Sequence, residues 1–315
     1  MNPKPLVSII IPFVYEVGYL REAVQSALDQ KPGSFQILLV CNAPDMAKVD
    51  DQHPFNHASI SWLHEPAPGA PHARNMGLAH AEGDWIQFLD VDDLLLPDKI
   101  ATQLTYADAD VVVSPATYRY ENGREKRGNW NRSDVWYALL ASQLGSTSSM
   151  LWKRSILQLV GGWNPAYDSN QEYELLFRIL QAKGRIEFED KPLTIVRQRT
   201  VGSITSSRLN HPMIGIRLRE NIWEHLRTEG LDTPVRQEAF RTYIFKNLRG
   251  LFRQDKKLAI QLHATYFSNP GFTPNIGIRG YNYLYQKLGF KRTEELMHLY
   301  RRIRQKWFFF LPKNE

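Results

Sequence analysis

The chain has 315 residues, 43% hydrophobic and 12% aromatic, enough to bury one large core or two modest ones. A single cysteine, Cys41, excludes an internal disulfide framework and fits a reducing compartment, and no apolar run approaches the ~20 residues of a membrane span. The net charge of +6 is uneven, −4 over residues 1–210 and +10 over 211–315, so any affinity for an anionic surface belongs to the C-terminal third.

Leu6 to Phe13 is short, β-branched and broken by Pro12, and reads as a first core strand rather than a signal peptide. Leu20, Ala23, Val24, Ala27 and Leu28 recur at helical spacing from about Tyr19 to Gln30, and Pro32-Gly33 ends that helix. Ile37–Val40 is a second buried strand and Ile60–Leu63 a weaker third. A helix follows over Ala73–Ala81, closed by Gly83. Trp85–Leu89 is the fourth strand, 95–107 a helix and Val111–Val113 a fifth strand. Residues 118–133 are polar and turn-rich and read as an exposed loop. Helices follow over 134–144 and 172–182. Beyond about residue 210 the strand signal fades into helical segments rich in Arg, Lys and aromatics.

Strands alternating with helices predict an α/β fold with a mainly parallel central sheet, whose ligands bind beyond the carboxyl ends of the strands. The division is residues 1–210 as the α/β domain and 211–315 as a helical, basic region. At the end of the fourth strand stands Asp90-Val91-Asp92-Asp93. Three carboxylates there repel one another and lose hydration, which a hard divalent cation would relieve.

Several segments, taken in order, resemble the family 2 glycosyltransferases. Val7-Ser-Ile-Ile-Ile-Pro12 with Glu16 is similar to the family's first strand, and Ala73-Arg74-Asn75-Met76-Gly77 to its Ala-Arg-Asn-x-Gly segment. Gly83 to Asp93 resembles its metal motif, and Gly161-Gly162-Trp163 with Gln171-Glu172 its acceptor-side acid motif. Pro192-Leu193 and Arg197 resemble the segment that closes the catalytic domain, and the whole likeness covers about residues 5–207.

The resemblance implies a GT-A fold (Rossmann-like) and inverting transfer of a sugar from a nucleotide-diphosphate donor to an acceptor hydroxyl. It implies Mn²⁺ or Mg²⁺ held by Asp90 and Asp92, with Glu172 as the general base. The implied donor-binding residues are Pro12, Tyr15, Glu16, Asn42, Arg74, Asp90, Arg197 and Arg199. The alternatives are structural. Asp93 caps a helix beginning near Leu94, Glu172 favours its own helix start through the macrodipole, and Arg74 either meets phosphate or ties loops together. Glu174 is the fallback base.

The chain departs from the family at Val14-Tyr15, at Cys41-Asn42 where an acidic pair is usual, and at Arg199 where a His is frequent. Arg cannot ligate a metal, so Arg199 is expected on phosphate. These departures also admit a catalytically weak relative that binds nucleotide sugar or glycan.

The expected acceptor is a saccharide or a lipid-linked glycan in surface polysaccharide synthesis. The tail Leu299–Leu311, basic and aromatic, suits either an anionic membrane or docking on the protein itself. The expected location is cytoplasmic, peripheral at the inner face of the plasma membrane. No stacking motif or zinc-finger spacing points to nucleic acid.

Overall fold

The structure, a computed structural model, describes residues 6–14, 17–31, 35–44, 55, 57–199, 212–268, 272–274 and 276–310, the side chains of 17 and 304–310 excepted. It divides into two compact units, Met1–Asn210 and His211–Glu315.

In the first unit, β1 (Val7–Phe13) is buried at every residue and lies between β2 (Phe35–Cys41) and β4 (Trp85–Phe88), parallel to both. Beyond β2 lies β3 (Ile60–His64), also parallel. Beyond β4 the sheet continues through β9 (Leu151–Lys153), β6 (Val111–Val113) and β10 (Ile186–Phe188), with β9 antiparallel to both neighbours and β10 parallel to β6. The continuous apolar runs are what a sheet covered on both faces requires. Cys41, fully buried in this core with its thiol pushed up by desolvation, is a filler of the sheet.

Helix α1 (Val17–Leu28) packs on β1, and α2 (Ala70–His80) packs on β1 and β2. The approach of α2 is close because Gly77 has no side chain, and a Cβ there would stand 2.4 Å from Ile10 Cγ2.

Two sequence expectations are corrected. Leu94–Leu95 forms a short strand, β5, and the helix expected over 95–107 shrinks to α3 (Lys99–Leu104). Pro97 biases Leu96 toward extended backbone. Tertiary partners then take the segment: Leu95 N donates to Ser26 Oγ at 3.2 Å, Leu96 N to Leu193 O at 2.9 Å, and Gln30 Nε2 to Leu96 O at 2.8 Å. Asp93 therefore caps no helix.

The loop expected over 118–133 contains a hairpin of β7 (Thr117–Tyr120) and β8 (Glu125–Arg127). With β11 (Thr194–Gln198) and β5 it makes a second sheet, ordered β5-β11-β7-β8. The pairing of β7 with β11 is parallel and distant in sequence, so polarity alone concealed it.

The remaining helices of this unit are α4 (Val135–Ala141), capped by Asp134, α5 (Arg154–Leu159) and α6 (Gln171–Gln181).

The second unit is helical: α7 (Pro212–Thr228), α8 (Pro234–Leu251), α9 (Lys256–Tyr266) and α10 (Tyr281–Phe310), the last broken at Gly289 (φ 69°). Its core centres on Phe245, which meets Phe267, Phe272, Tyr281, Tyr285 and Phe290 ring to ring. The buried Glu294 accepts from Arg249 Nε at 2.5 Å and from Tyr281 Oη at 2.6 Å. None of the described helices is long and apolar enough to cross a membrane.

Because Ile10 leaves no room, Gly77→Ala is expected to destabilise the first unit by about 1–3 kcal/mol, the usual cost of overpacking. Urea unfolding of both proteins checks this, and an unchanged midpoint would refute the close approach.

Candidate active site

A cavity of about 940 Å³ opens at the carboxyl ends of β1, β2 and β4. That is the upper range for a small-molecule site and the place where open α/β sheets bind ligands. Pro12, Asn42, Arg74, Asp90, Asp92, Glu172, Arg197 and Arg199 all line it. Tyr15 and Glu16 lie outside the described residues.

The acidic segment after β4 forms a turn closed by Asp93 N donating to Asp90 O at 2.9 Å. Its three carboxylates have different surroundings. Asp93 is 3% exposed, accepting from Ser148 Oγ at 2.6 Å and from Arg197 N at 3.3 Å. Burial, then the Asp90 and Asp92 charges, push its carboxyl well above the usual carboxylate range. Asp92 is raised by partial burial and by Asp90, while Arg199 Nη1, 3.3 Å from its Oδ2, works in the opposite direction. Asp90 faces Arg74, with Nη2 at 2.5 Å from Oδ1.

Ser148, which nothing in the sequence singled out, anchors this turn, since its Oγ also accepts from Asp90 N at 3.0 Å. Beneath it, Gln87 Nε2 donates to Ser148 O at 3.0 Å, and the fully buried Lys99 donates to Gln87 Oε1 and to Met150 O. Desolvation drives the Lys99 amine well below its ordinary range. The turn therefore rests on a buried polar network rather than on solvent.

Arg74 makes the loop tie, one of its two expected roles. It is 3% exposed, with Nη1 donating to Gln171 Oε1 at 2.6 Å while Nη2 holds Asp90. Its guanidinium lies 4.6 Å over the Trp163 ring. It ties the acidic turn to the first residue of α6. Asn75 supports the same corner, donating to Trp163 O and accepting from Trp163 N, both at 2.8 Å.

Asn42 is engaged by the backbone around it. Both of its amide hydrogens go to the backbone, at Glu65 O (2.8 Å) and Ala67 O (2.7 Å), and its Oδ1 accepts from Gly69 N at 2.8 Å. It shapes the loop leading into α2 and has no amide hydrogen left for a nucleotide.

Glu172 sits in the first turn of α6 and lines the cavity. Its charge reaches Tyr118 on β7, whose phenol is raised by burial, by Glu172 and by Asp93. Glu174, the fallback base, is 5% exposed and clamped by Arg178, with Nε to Oε1 and Nη2 to Oε2 both 2.8 Å. It is structural and does not line the cavity. Arg197 reaches Glu22, and both Arg197 and Arg199 lie over the Tyr19 ring, at 5.2 and 4.8 Å. Nη1 of Arg197 is buried without a partner among the described residues.

Among the described residues no group of three or more His, Cys, Asp or Glu is arranged to hold a metal by itself. The donor set does fit a hard cation that takes one or two carboxylates from protein and the rest from a substrate's phosphates. Asp90 and Asp92 are the residues that would supply them.

The Arg74 tie sets the first prediction for this site. Arg74→Ala leaves the partly buried Asp90 carboxylate and the buried Gln171 without their partner and is expected to cost about 1–3 kcal/mol. Thermal unfolding monitored by circular dichroism checks it, and a loss under 1 kcal/mol would refute the tie.

Comparisons with known proteins bear on the family and the fold. Residues 8–161 match the family model described as Glycosyl transferase family 2. An "Uncharacterized glycosyltransferase" of Rickettsia felis is 32% identical over 126 residues, 38% of this chain and 20% of that protein. The "Putative teichuronic acid biosynthesis glycosyltransferase TuaG" of Bacillus subtilis is 33% identical over 108 residues, 33% of this chain and 43% of that protein. The match thus spans less than half the length of either relative. Among solved structures, S. aureus TarS 1-349 in complex with UDP-GlcNAc aligns with TM-score 0.54 at 13% identity, covering 94% of this chain and 91% of that one. The mannosyltransferase PcManGT from Pyrobaculum calidifontis, in complex with GDP-Man and Mn²⁺, aligns with TM-score 0.51 at 15% identity, covering 95% and 88%. At these identities the structures show the fold, which is the GT-A arrangement with a mostly parallel sheet. Residues 8–161 thus match glycosyl transferase family 2, and the curated relatives named glycosyltransferases support that family.

Proposed function

We propose that this protein is an inverting glycosyltransferase that moves a sugar from a nucleotide-diphosphate donor to an acceptor hydroxyl. The observation that carries the reading is the cavity itself, where Asp90 and Asp92 at the end of β4 share one space with Glu172 at the start of α6. In the reaction the acceptor oxygen attacks the anomeric carbon from the face opposite the diphosphate. The bond to the diphosphate oxygen breaks with its electron pair, and the acceptor proton passes to a Glu172 carboxylate oxygen. Asp90 and Asp92 would hold a Mg²⁺ or Mn²⁺, which would neutralise charge on the leaving diphosphate. Arg197 and Arg199, on β11 and just after it, add fixed positive charge along the same wall.

The relatives support the class of product. One is named for teichuronic acid biosynthesis and another, from Myxococcus xanthus, for O-antigen biosynthesis, so surface polysaccharide assembly is the context proposed here. A solved neighbour carrying UDP-GlcNAc and another carrying GDP-Man with Mn²⁺ support a metal-assisted nucleotide-sugar donor. A second reading, donor binding without turnover, draws on Arg199, which already pairs with Asp92.

The proposed location is cytoplasmic, with peripheral contact to anionic membrane. On α10, Leu296, Leu299, Tyr300 and Ile303 are 43–58% exposed at helical spacing, amid Arg301 and Arg302. Flotation of the full chain with phosphatidylglycerol vesicles, but not with phosphatidylcholine alone, is the expected result, and equal recovery in both would remove the contact.

A thermal-shift screen of UDP-, GDP-, dTDP- and CMP-sugars with and without Mn²⁺ identifies the donor, because a bound ligand raises the midpoint by mass action. With that donor, Glu172→Gln is expected to lower transfer about 10²–10⁴-fold with donor binding intact. Asp92→Asn is expected to abolish the Mn²⁺-dependent part of the shift. Full turnover in Glu172→Gln would sink the base assignment. Donor binding without release of nucleoside diphosphate, across acceptors, would favour the second reading.

A further inference from the structure

The hairpin that the sequence concealed forms part of the same cavity. Register pairs Tyr118 with Lys126, Thr117 with Arg127 and Arg119 with Glu125. Strand alternation therefore puts Tyr118, Tyr120 and Lys126 on one face and Arg119 and Glu125 on the other. The outer pair is self-contained, with Arg119 Nε 2.7 Å from Glu125 Oε1. The inner face lines the cavity.

Its place relative to the chemistry follows from strand order. β5, which follows the acidic turn, is one end of the sheet, β11 with Arg197 is next, then β7, with β8 at the far edge. Three strand spacings put β8 roughly 14 Å from β5. Tyr118 lies between, close enough to feel both Glu172 and Asp93. Tyr120 and Lys126 thus extend the cavity wall away from β5 and the acidic turn that precedes it.

The chemistry of this wall is specific. Gly128 leaves room for the Tyr118 ring, since a Cβ there would stand 2.7 Å from Tyr118 Cε2. Tyr120 is backed by Arg124, whose guanidinium lies 4.8 Å over its ring. Neighbouring cations are engaged: Arg132 pairs with Asp190, and Arg127 Nη2 donates to Asp190 O at 2.7 Å. Lys126 makes no ion pair among the described residues and stands on the cavity wall. Two aromatic side chains and an ammonium suit a sugar or polyol that also bears negative charge.

Building on the glycosyltransferase reading, we propose that Tyr118, Tyr120 and Lys126 form the acceptor subsite, and that the acceptor carries a phosphate or carboxylate beside the attacking hydroxyl.

The test titrates the full-length protein with sn-glycerol 3-phosphate, glucuronate, glycerol and glucose, each with and without UDP, by ligand-observed NMR. The expected result is binding of one or both charged probes that survives UDP, weakens at least fivefold in Lys126→Gln and is absent for the uncharged pair. The preferred anion tells phosphate from uronate. Tyr120→Phe should retain this binding and Tyr120→Ala lose it, with unchanged circular dichroism as the folding control. Charged-probe binding that is displaced by UDP, or indifferent to Lys126→Gln, would overturn the subsite, as would equal binding of charged and uncharged probes or none at all. The donor screen reports separately. If nucleotide sugars fail to bind while the Lys126-dependent signal persists, the transferase reading falls and the anionic-glycan site stands.

Discussion

Arg74 joins the two sides of the cavity. One guanidinium, nearly excluded from water, is shared by Asp90 on the loop after β4 and by Gln171 at the first position of α6, with the Trp163 ring beneath it. Burying such a charge costs several kcal/mol, which a close carboxylate, an amide carbonyl and an aromatic face together offset. Gln171 immediately precedes Glu172, so the same contact that orients Asp90 also places the start of the helix bearing the proposed base. The tight seat of α2 on β1, made by Gly77 against Ile10, holds Arg74 in reach of both.

The acidic turn shows how three like charges are accommodated within four residues. Each has its own partner: Arg74 for Asp90, Arg199 for Asp92, and the Ser148 hydroxyl with a backbone N–H for Asp93. The two guanidiniums come from 16 residues before and 107 residues after in the chain. The division separates roles. Asp93 is buried and fixes the turn, while Asp90 and Asp92 remain only partly buried at the cavity and keep oxygen atoms for a cation or a ligand. A cation placed there would ease a repulsion that the protein only partly compensates.

Much of this was legible because it is local. Val7–Phe13 and Phe35–Cys41 announce buried parallel strands by unbroken apolar runs, and α6 announces itself by its period. Other features were hidden because their partners lie far away. Nothing near Ser148 signals that its hydroxyl closes a turn at residues 90–93, and Asn42 looks available until Glu65, Ala67 and Gly69 are brought against it. The triple leucine 94–96 has helical composition, yet Pro97 and the side chains of Ser26 and Gln30 draw it into a strand.

The amino-acid sequence by itself determined the α/β class, the family and the cluster of carboxylates at the end of β4, since hydrophobic period and residue type act over a few neighbours. Only the tertiary structure decided which carboxylate is buried, which partners hold Arg74 and Asn42, and that a polar stretch folds into a hairpin lining the cavity. Those outcomes depend on desolvation and on hydrogen-bond partners that long-range packing alone brings together.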